Sequence, residues 1–322
     1  MTTRSRHASA IAVALLSLFA AHPLLAWNAA GHRAITFLAY NYLTPQTRQR
    51  VDAILRAHPD YASVLTRNPI GDASSDAPLD PVDLARNAFT MASVWPDIIK
   101  GDPRFTDAPI AGQSVQPGFP DMLRHQNWHY INTPFPEEFR SEPIVPANAL
   151  NEIKRLLKTL RKDGPVTPEE VYALPWILHI ISDVHQPLHT IARFRRMPDG
   201  SAQQDLGGNA CFVTEDRNLH SLWDSVLGVN ANDYAVARLS ASISDRLPAP
   251  RKVDTRPSTW IREGVELAGS VVYEFTGDCT NRDQPLAVTP AYRKRARSVA
   301  MERAALGAYR IAAILNDLLG ND

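Results

Sequence analysis

Apolar positions recur at helical spacing along most of this chain and alternate in strand fashion almost nowhere. Ile153, Leu156, Leu157 and Leu160 keep a 3.6-residue period and predict a helix over Asn151 to Lys162. Thr44-Pro45 supplies an N-cap and a first-turn proline for a helix running to about Ala57. Thr167-Pro168-Glu169-Glu170 is a capping box that opens a helical stretch toward His179 and Asp183. Pro175 should kink or break that stretch, so a second, abutting helix is expected to carry His179 and Asp183. Ser298 to Leu319 is a long amphipathic pattern stopped by Gly320. Strand-like alternation is confined to a few residues around Cys211. The stretches 64–82, 102–121 and 195–210 are rich in Pro, Gly, Asp and Asn and predict loops. No internal repeat or low-complexity segment is found. The pattern predicts a single, mostly α-helical domain.

The first 26 residues follow a different logic. Arg4 and Arg6 precede an apolar run from Ala10 to Ala20, too short to span a bilayer, and small residues close the segment at Ala26. This is the pattern of a secretory signal cleaved before Trp27, leaving residues 27–322 as an exported domain without a membrane anchor. Charge then removes one class of partner. The 34 basic side chains less Arg4 and Arg6 leave 32 against 34 acidic ones, a net of about −2. A protein that grips long duplex phosphate shows a basic surplus, so attraction to an anionic substrate must come from cations bound at one site. The two cysteines, Cys211 and Cys279, are an even pair in an exported chain and predict one disulfide.

The densest chemistry lies in His179-Ile-Ile-Ser-Asp183-Val-His185-Gln-Pro187-Leu-His189. His179 and Asp183 are four apart and share a helix face, and Pro187 can turn the chain so that His189 swings back toward them. Imidazole nitrogen and carboxylate oxygen are ligands that zinc accepts. Read alone, the spacing also allows a core helix with a few satisfied polar groups. Asn218-Leu-His220-Ser-Leu-Trp-Asp224 repeats the four-residue His–Asp spacing, which strengthens the metal reading. Trp95-Pro96-Asp97 and Trp128-His129-Tyr130 set a further carboxylate and imidazole among aromatics; alone, these would be a helix N-cap and a buried histidine bonded to backbone.

Trp27-Asn-Ala-Ala-Gly31-His32 completes the pattern. After signal cleavage the Trp27 amine and carbonyl form a chelating pair, with an imidazole five residues on. With this motif the chain closely resembles the exported three-zinc, single-strand-specific nucleases of the mung bean nuclease family, over essentially all of residues 27–322. Bacterial zinc phospholipases C share that architecture more distantly.

The resemblance implies three zinc ions per chain. Asp97, His129, His179 and Asp183 would hold the first, and His189, His220 and Asp224 the second. The Trp27 amine and carbonyl, His32 and the other oxygen of Asp183 would hold the third. It also implies in-line attack of activated water on phosphorus, giving 5′-phosphate products from single-stranded DNA and RNA, with 3′-nucleotides as further substrates. Lys100 matches a basic residue that stabilises phosphoryl charge. Gly207-Gly208-Asn209 matches a base-binding loop, with Asn209 bonding a flipped-out base and Gly207 permitting close approach. Asn132 stands where relatives often carry aspartate, so a group that donates and accepts replaces one that only accepts. Gly101 stands where an aromatic can follow the basic residue. His185, His125 and His58 are assigned behind the ligands or to the surface. The protein is expected to act as a monomer. A phospholipase C on the same cluster is the alternative enzyme. A zinc-sequestering protein, the non-enzymatic alternative, leaves Lys100 and Asn209 without a role.

Overall fold

The computed structural model describes residues 27–67, 81–275 and 277–320. The proposed signal segment, residues 1–26, lies outside them, as does most of the loop expected over 64–82. The core is a helical assembly around one buried helix. The helices are α1 (Ala29–Asn41), α2 (Pro45–Arg56), α3 (Pro81–Ala92), α4 (Trp95–Gly101), α5 (Ala149–Leu156), α6 (Pro168–Asp183), α7 (Leu219–Ser225), α8 (Asp233–Arg246), α9 (Pro257–Leu267) and α10 (Pro290–Leu319). Helix α6 is buried along its whole length from Glu170 to Asp183 and packs against α1, α2, α3, α4, α5 and α10. A helix that is covered on every side must be apolar on every side, and Leu174, Trp176, Ile177, Leu178, Ile180 and Ile181 meet that demand. Its few polar residues are therefore conspicuous.

Local signals set most of the boundaries. Thr44 caps α2, which ends at Arg56 as expected, and the Thr167–Glu170 capping box is fully formed. Pro175 does not divide its helix: α6 is continuous through it. Proline removes one ladder hydrogen bond, and the close packing around α6 outweighs that loss. The 151–162 pattern forms α5 and then a 3₁₀ turn at Leu157–Thr159, ending at Leu160. Helix α10 starts at Pro290, eight residues before the expected Ser298, because Thr289 caps it and Pro290 fits its first turn. The pattern did not mark α1, α3, α8 or α9.

Strand structure lies elsewhere than expected. A small sheet joins β1 (Thr133–Phe135), β2 (Ile191–Arg196) and β3 (Ala202–Gln204), with β1 parallel and β3 antiparallel to β2. The segment 195–210 is thus partly strand, and near Cys211 there is only an isolated bridge between Val213 and Leu286. His58 and His185 are buried rather than at the surface. His185 donates from Nδ1 to the Ile181 carbonyl at 2.7 Å and faces Arg310 at 2.9 Å through Nε2.

The expected disulfide is present between Cys211 and Cys279, both fully buried, at a sequence separation of 68. Closing a loop of that length should stabilise the fold by about 4 kcal/mol through the unfolded state. Cys211→Ser and Cys279→Ser should each lose about that much in urea unfolding, and the double variant no more than either. Losses that add would mean the two cysteines act separately.

Candidate metal centre

The polar residues of α6 face a cluster that the other elements assemble around them. His179 and Asp183, one turn apart on α6, meet His32 from α1, Asp97 from α4 and His129 from the short helix at Gln126–His129. The 3₁₀ turn Pro187–His189 brings His189 back beside them, and α7 contributes His220 and Asp224. All eight are buried. Their ligand atoms fall into three groups able to hold an ion: His32, His179 and Asp183; Asp97, His129 and His179; His189, His220 and Asp224.

His179 belongs to two of these groups, and the carboxylate that borders both is Asp183. Its Oδ2 lies 3.1 Å from His179 Nε2 and 3.2 Å from His129 Nδ1, while Oδ1 lies 3.2 Å from His32 Nε2. That last pair is close but not aligned as a hydrogen bond, and His32 Nε2 and Asp183 Oδ1 both remain without a partner.

The tautomers define what the middle can accept. His179, His189 and His220 each point Nδ1 at a backbone carbonyl, of Ser93, His129 and Gly207, at 2.7, 2.8 and 2.7 Å. A carbonyl only accepts, so in each case the proton sits on Nδ1 and Nε2 presents a lone pair inward. The inward atoms then face carboxylate oxygens, which also only accept: His189 Nε2 is 3.8 Å from Asp224 Oδ1, and His220 Nε2 is 3.5 Å from Asp224 Oδ2. Nε2 of His129, His189 and His220 has no hydrogen-bond partner. Buried acceptors facing acceptors repel unless a cation lies between them. Ligands at about 2.0–2.2 Å from a tetrahedral centre stand about 3.4 Å apart, close to the separations here. The carbonyl partner on the far nitrogen is how metal-binding histidines are oriented.

The charges agree. Burial opposes ionisation of Asp97, but Lys100, His179 and His129 outweigh it and hold its pKa at about 2. Burial also opposes ionisation of Asp183, yet His179 and His189 hold it well below the usual carboxylate range. Burial, with Lys100 nearby, pushes His129 down to about 3, so its ring is neutral.

Of the other expected site residues, Trp27 is fully buried, donates Nε1–H to the Ser182 carbonyl at 3.0 Å, and lies beside Asp183 in this way. Lys100 is buried and pairs with Asp97 at 2.7 Å. Asn209 shares a cleft of about 540 Å³ with His220 and Asp224. Asn132 is not part of that cleft's wall; its amide donates to Gln204 at 3.0 Å. Gly207 has φ +61°, and a Cβ there would stand 2.6 Å from the Leu188 carbonyl, so glycine is required by packing against that turn. Pattern reading missed Gln186, fully buried, which donates to Asp224 at 2.9 Å and accepts from Leu188 N at 2.6 Å. Its place between His185 and Pro187 in the densest motif was the available signal.

A mostly helical fold that gathers eight buried histidines and aspartates around acceptor-lined centres defines a class of candidate metal-binding proteins. The S1/P1 Nuclease family model matches residues 27–320. The chain belongs to the S1/P1 nuclease family. It is 29% identical over 115 residues to Nuclease S1 of Aspergillus oryzae (strain ATCC 42149 / RIB 40), a match covering 34% of this chain and 36% of that protein. The match thus spans about a third of the relative's length.

Gly207→Ala should disturb the cradle of His220, because the added Cβ forces the 207 carbonyl away from Nδ1. Metal content of the purified variant should fall while the remaining fold persists; an unchanged content would show that His220 does not depend on that carbonyl.

Proposed function

We propose that this chain is an exported, zinc-dependent endonuclease that hydrolyses single-stranded DNA and RNA to 5′-phosphate products and also acts on 3′-nucleotides. The observation that carries this is the set of inward lone pairs on His179, His189 and His220 facing the carboxylates of Asp97, Asp183 and Asp224. Asp97, His129, His179 and Asp183 would hold one ion; His189, His220 and Asp224 a second; the Trp27 amine and carbonyl, His32 and Asp183 a third. Nitrogen and oxygen donors without thiolate suit catalytic zinc. Bound there, the ions supply Lewis-acid activation of water and neutralise charge at the phosphoryl group.

The chain's own residues do the rest. Asp183 offers one oxygen to each side of the cluster, so its carboxylate fixes the spacing of two sites. Lys100, paired with Asp97, keeps a positive charge beside the first site, where phosphoryl charge would develop. Asn209, which lines the cleft with His220 and Asp224, would bond a base edge next to the scissile linkage. A base read on its edge must leave the stack, hence the preference for single strands. Residues 1–26 would direct export and be removed before Trp27, freeing its amine; residues 27–322 would form the nuclease domain. Among the described residues no helix is long and apolar enough to cross a membrane.

Elemental analysis of the processed protein should give about three zinc ions per chain, with cleavage of single-stranded DNA lost to a chelator and restored by zinc. One ion or fewer in active enzyme overturns the three-site assignment. Asp183→Asn should lower kcat/KM far more than Asn132→Ala, since it removes a charge shared by two sites; the reverse order counts against bridging. A processed protein carrying one extra residue before Trp27 should lose about one zinc and most activity, because an amide nitrogen is a poor ligand.

A further inference from the structure

A second cavity, of about 360 Å³, lies beside the cleft of the metal centre, outside every residue assigned above. The side chain of Phe212 lines both. A second link is Gln204, which lines this cavity and accepts from Asn132. Two cations face it, Arg193 and Arg195, alternate residues on one face of β2 and thus about 6.7 Å apart along the strand. That matches the distance between successive phosphates of an extended single strand.

The walls are fixed. Residues flanking both half-cystines line the cavity: Ala210 and Phe212 on one side, Asp278 and Thr280 on the other. The Cys211–Cys279 bond and the hydrogen bond from Phe212 N to the Cys279 carbonyl, 2.6 Å, hold the two sides together. Arg193 lies over the Tyr273 ring at 4.5 Å and faces the buried Asp205 carboxylate. Arg195 is held by Gln203 and Thr280, both neutral, and among the described residues no carboxylate lies within 4 Å of it. Asp278 is the other carboxylate in the wall, bonded to the backbone and hydroxyl of Thr280. On the cleft side, Arg282 sits over the Phe212 ring at 5.9 Å. Aromatic surface interleaved with guanidinium groups along a groove is how proteins track single strands without reading sequence.

We propose that this cavity is a phosphodiester subsite: a single strand leaving the metal centre stacks a base on Phe212 and sets its next backbone phosphates against Arg195 and Arg193. The proposal rests on the nuclease reading for the direction of the strand. It gives the enzyme a footprint longer than the one nucleotide held at the metals, and a reason to favour oligonucleotides over mononucleotides.

The test measures binding of a fluorescein-labelled, phosphorothioate-linked dodecathymidylate to the zinc-loaded protein by anisotropy, across a salt series. Arg195→Ala should weaken binding about three- to tenfold and lower the salt slope by about 0.7, the value for one phosphate contact on a single strand. Arg195→Lys should restore the slope, Phe212→Leu should weaken binding without changing it, and Asp278→Asn should tighten binding. Arg195 is exposed, and Arg195→Gln replaces the alanine variant if thermal melts show that one unfolded. Wild-type affinity and slope in Arg195→Ala would overturn the subsite. A wild-type protein that binds the strand as described yet cleaves no single-stranded DNA would overturn the nuclease reading and leave the subsite supported.

Discussion

A carboxylate buried without contact to water must be surrounded by groups that favour its charge, and Asp183 organises this molecule by that requirement. It sits at the end of the most buried helix, with its two oxygens turned toward imidazoles from α1, the Gln126–His129 turn and α6 itself. The surroundings of Asp183 are held from further out. The Ser93 carbonyl fixes His179, and Trp27 reaches the carbonyl of Ser182, the residue before Asp183. Moving any one element displaces the others, because the atoms in the middle repel one another unless positive charge is shared between them. The fold is a scaffold for holding like groups together.

The same constraint explains which parts of the centre were legible in the sequence. Ligands carried on one helix announce themselves by spacing: His179 with Asp183, and His220 with Asp224. Ligands such as Asp97 and His129, each on its own short element, show only as polar residues among tryptophans and are read with the help of family likeness. Gln186 was overlooked because a glutamine has no charge to flag it. Its work, holding Asp224 with its amide and the Leu188 backbone with its carbonyl, exists only in three dimensions.

For the fold, caps gave reliable boundaries, as at Thr44, Thr167 and, through Gly320, the end of α10. The errors have a common cause. A proline inside a helix breaks it when the helix stands alone, but α6 is gripped on all sides and runs straight through Pro175. Likewise β2 pairs with β1, a partner about 60 residues away that no local window contains, as well as with its hairpin neighbour β3. Tertiary packing overruled local preference in both directions.

Arg303 of α10 donates to the Val184 and His185 carbonyls just past the end of α6, and Arg310 joins Glu263 to His185. These cations complement the negative end of α6 and close its last turn, directly behind Asp183. The cluster drawn from residues 32–224 therefore lacks this outer support until residue 310 has been made and folded back. During synthesis the earlier residues would leave the ribosome with their ligand atoms unconstrained. The segment that supports the centre from behind comes last, so a product truncated before Arg303 would lack that support.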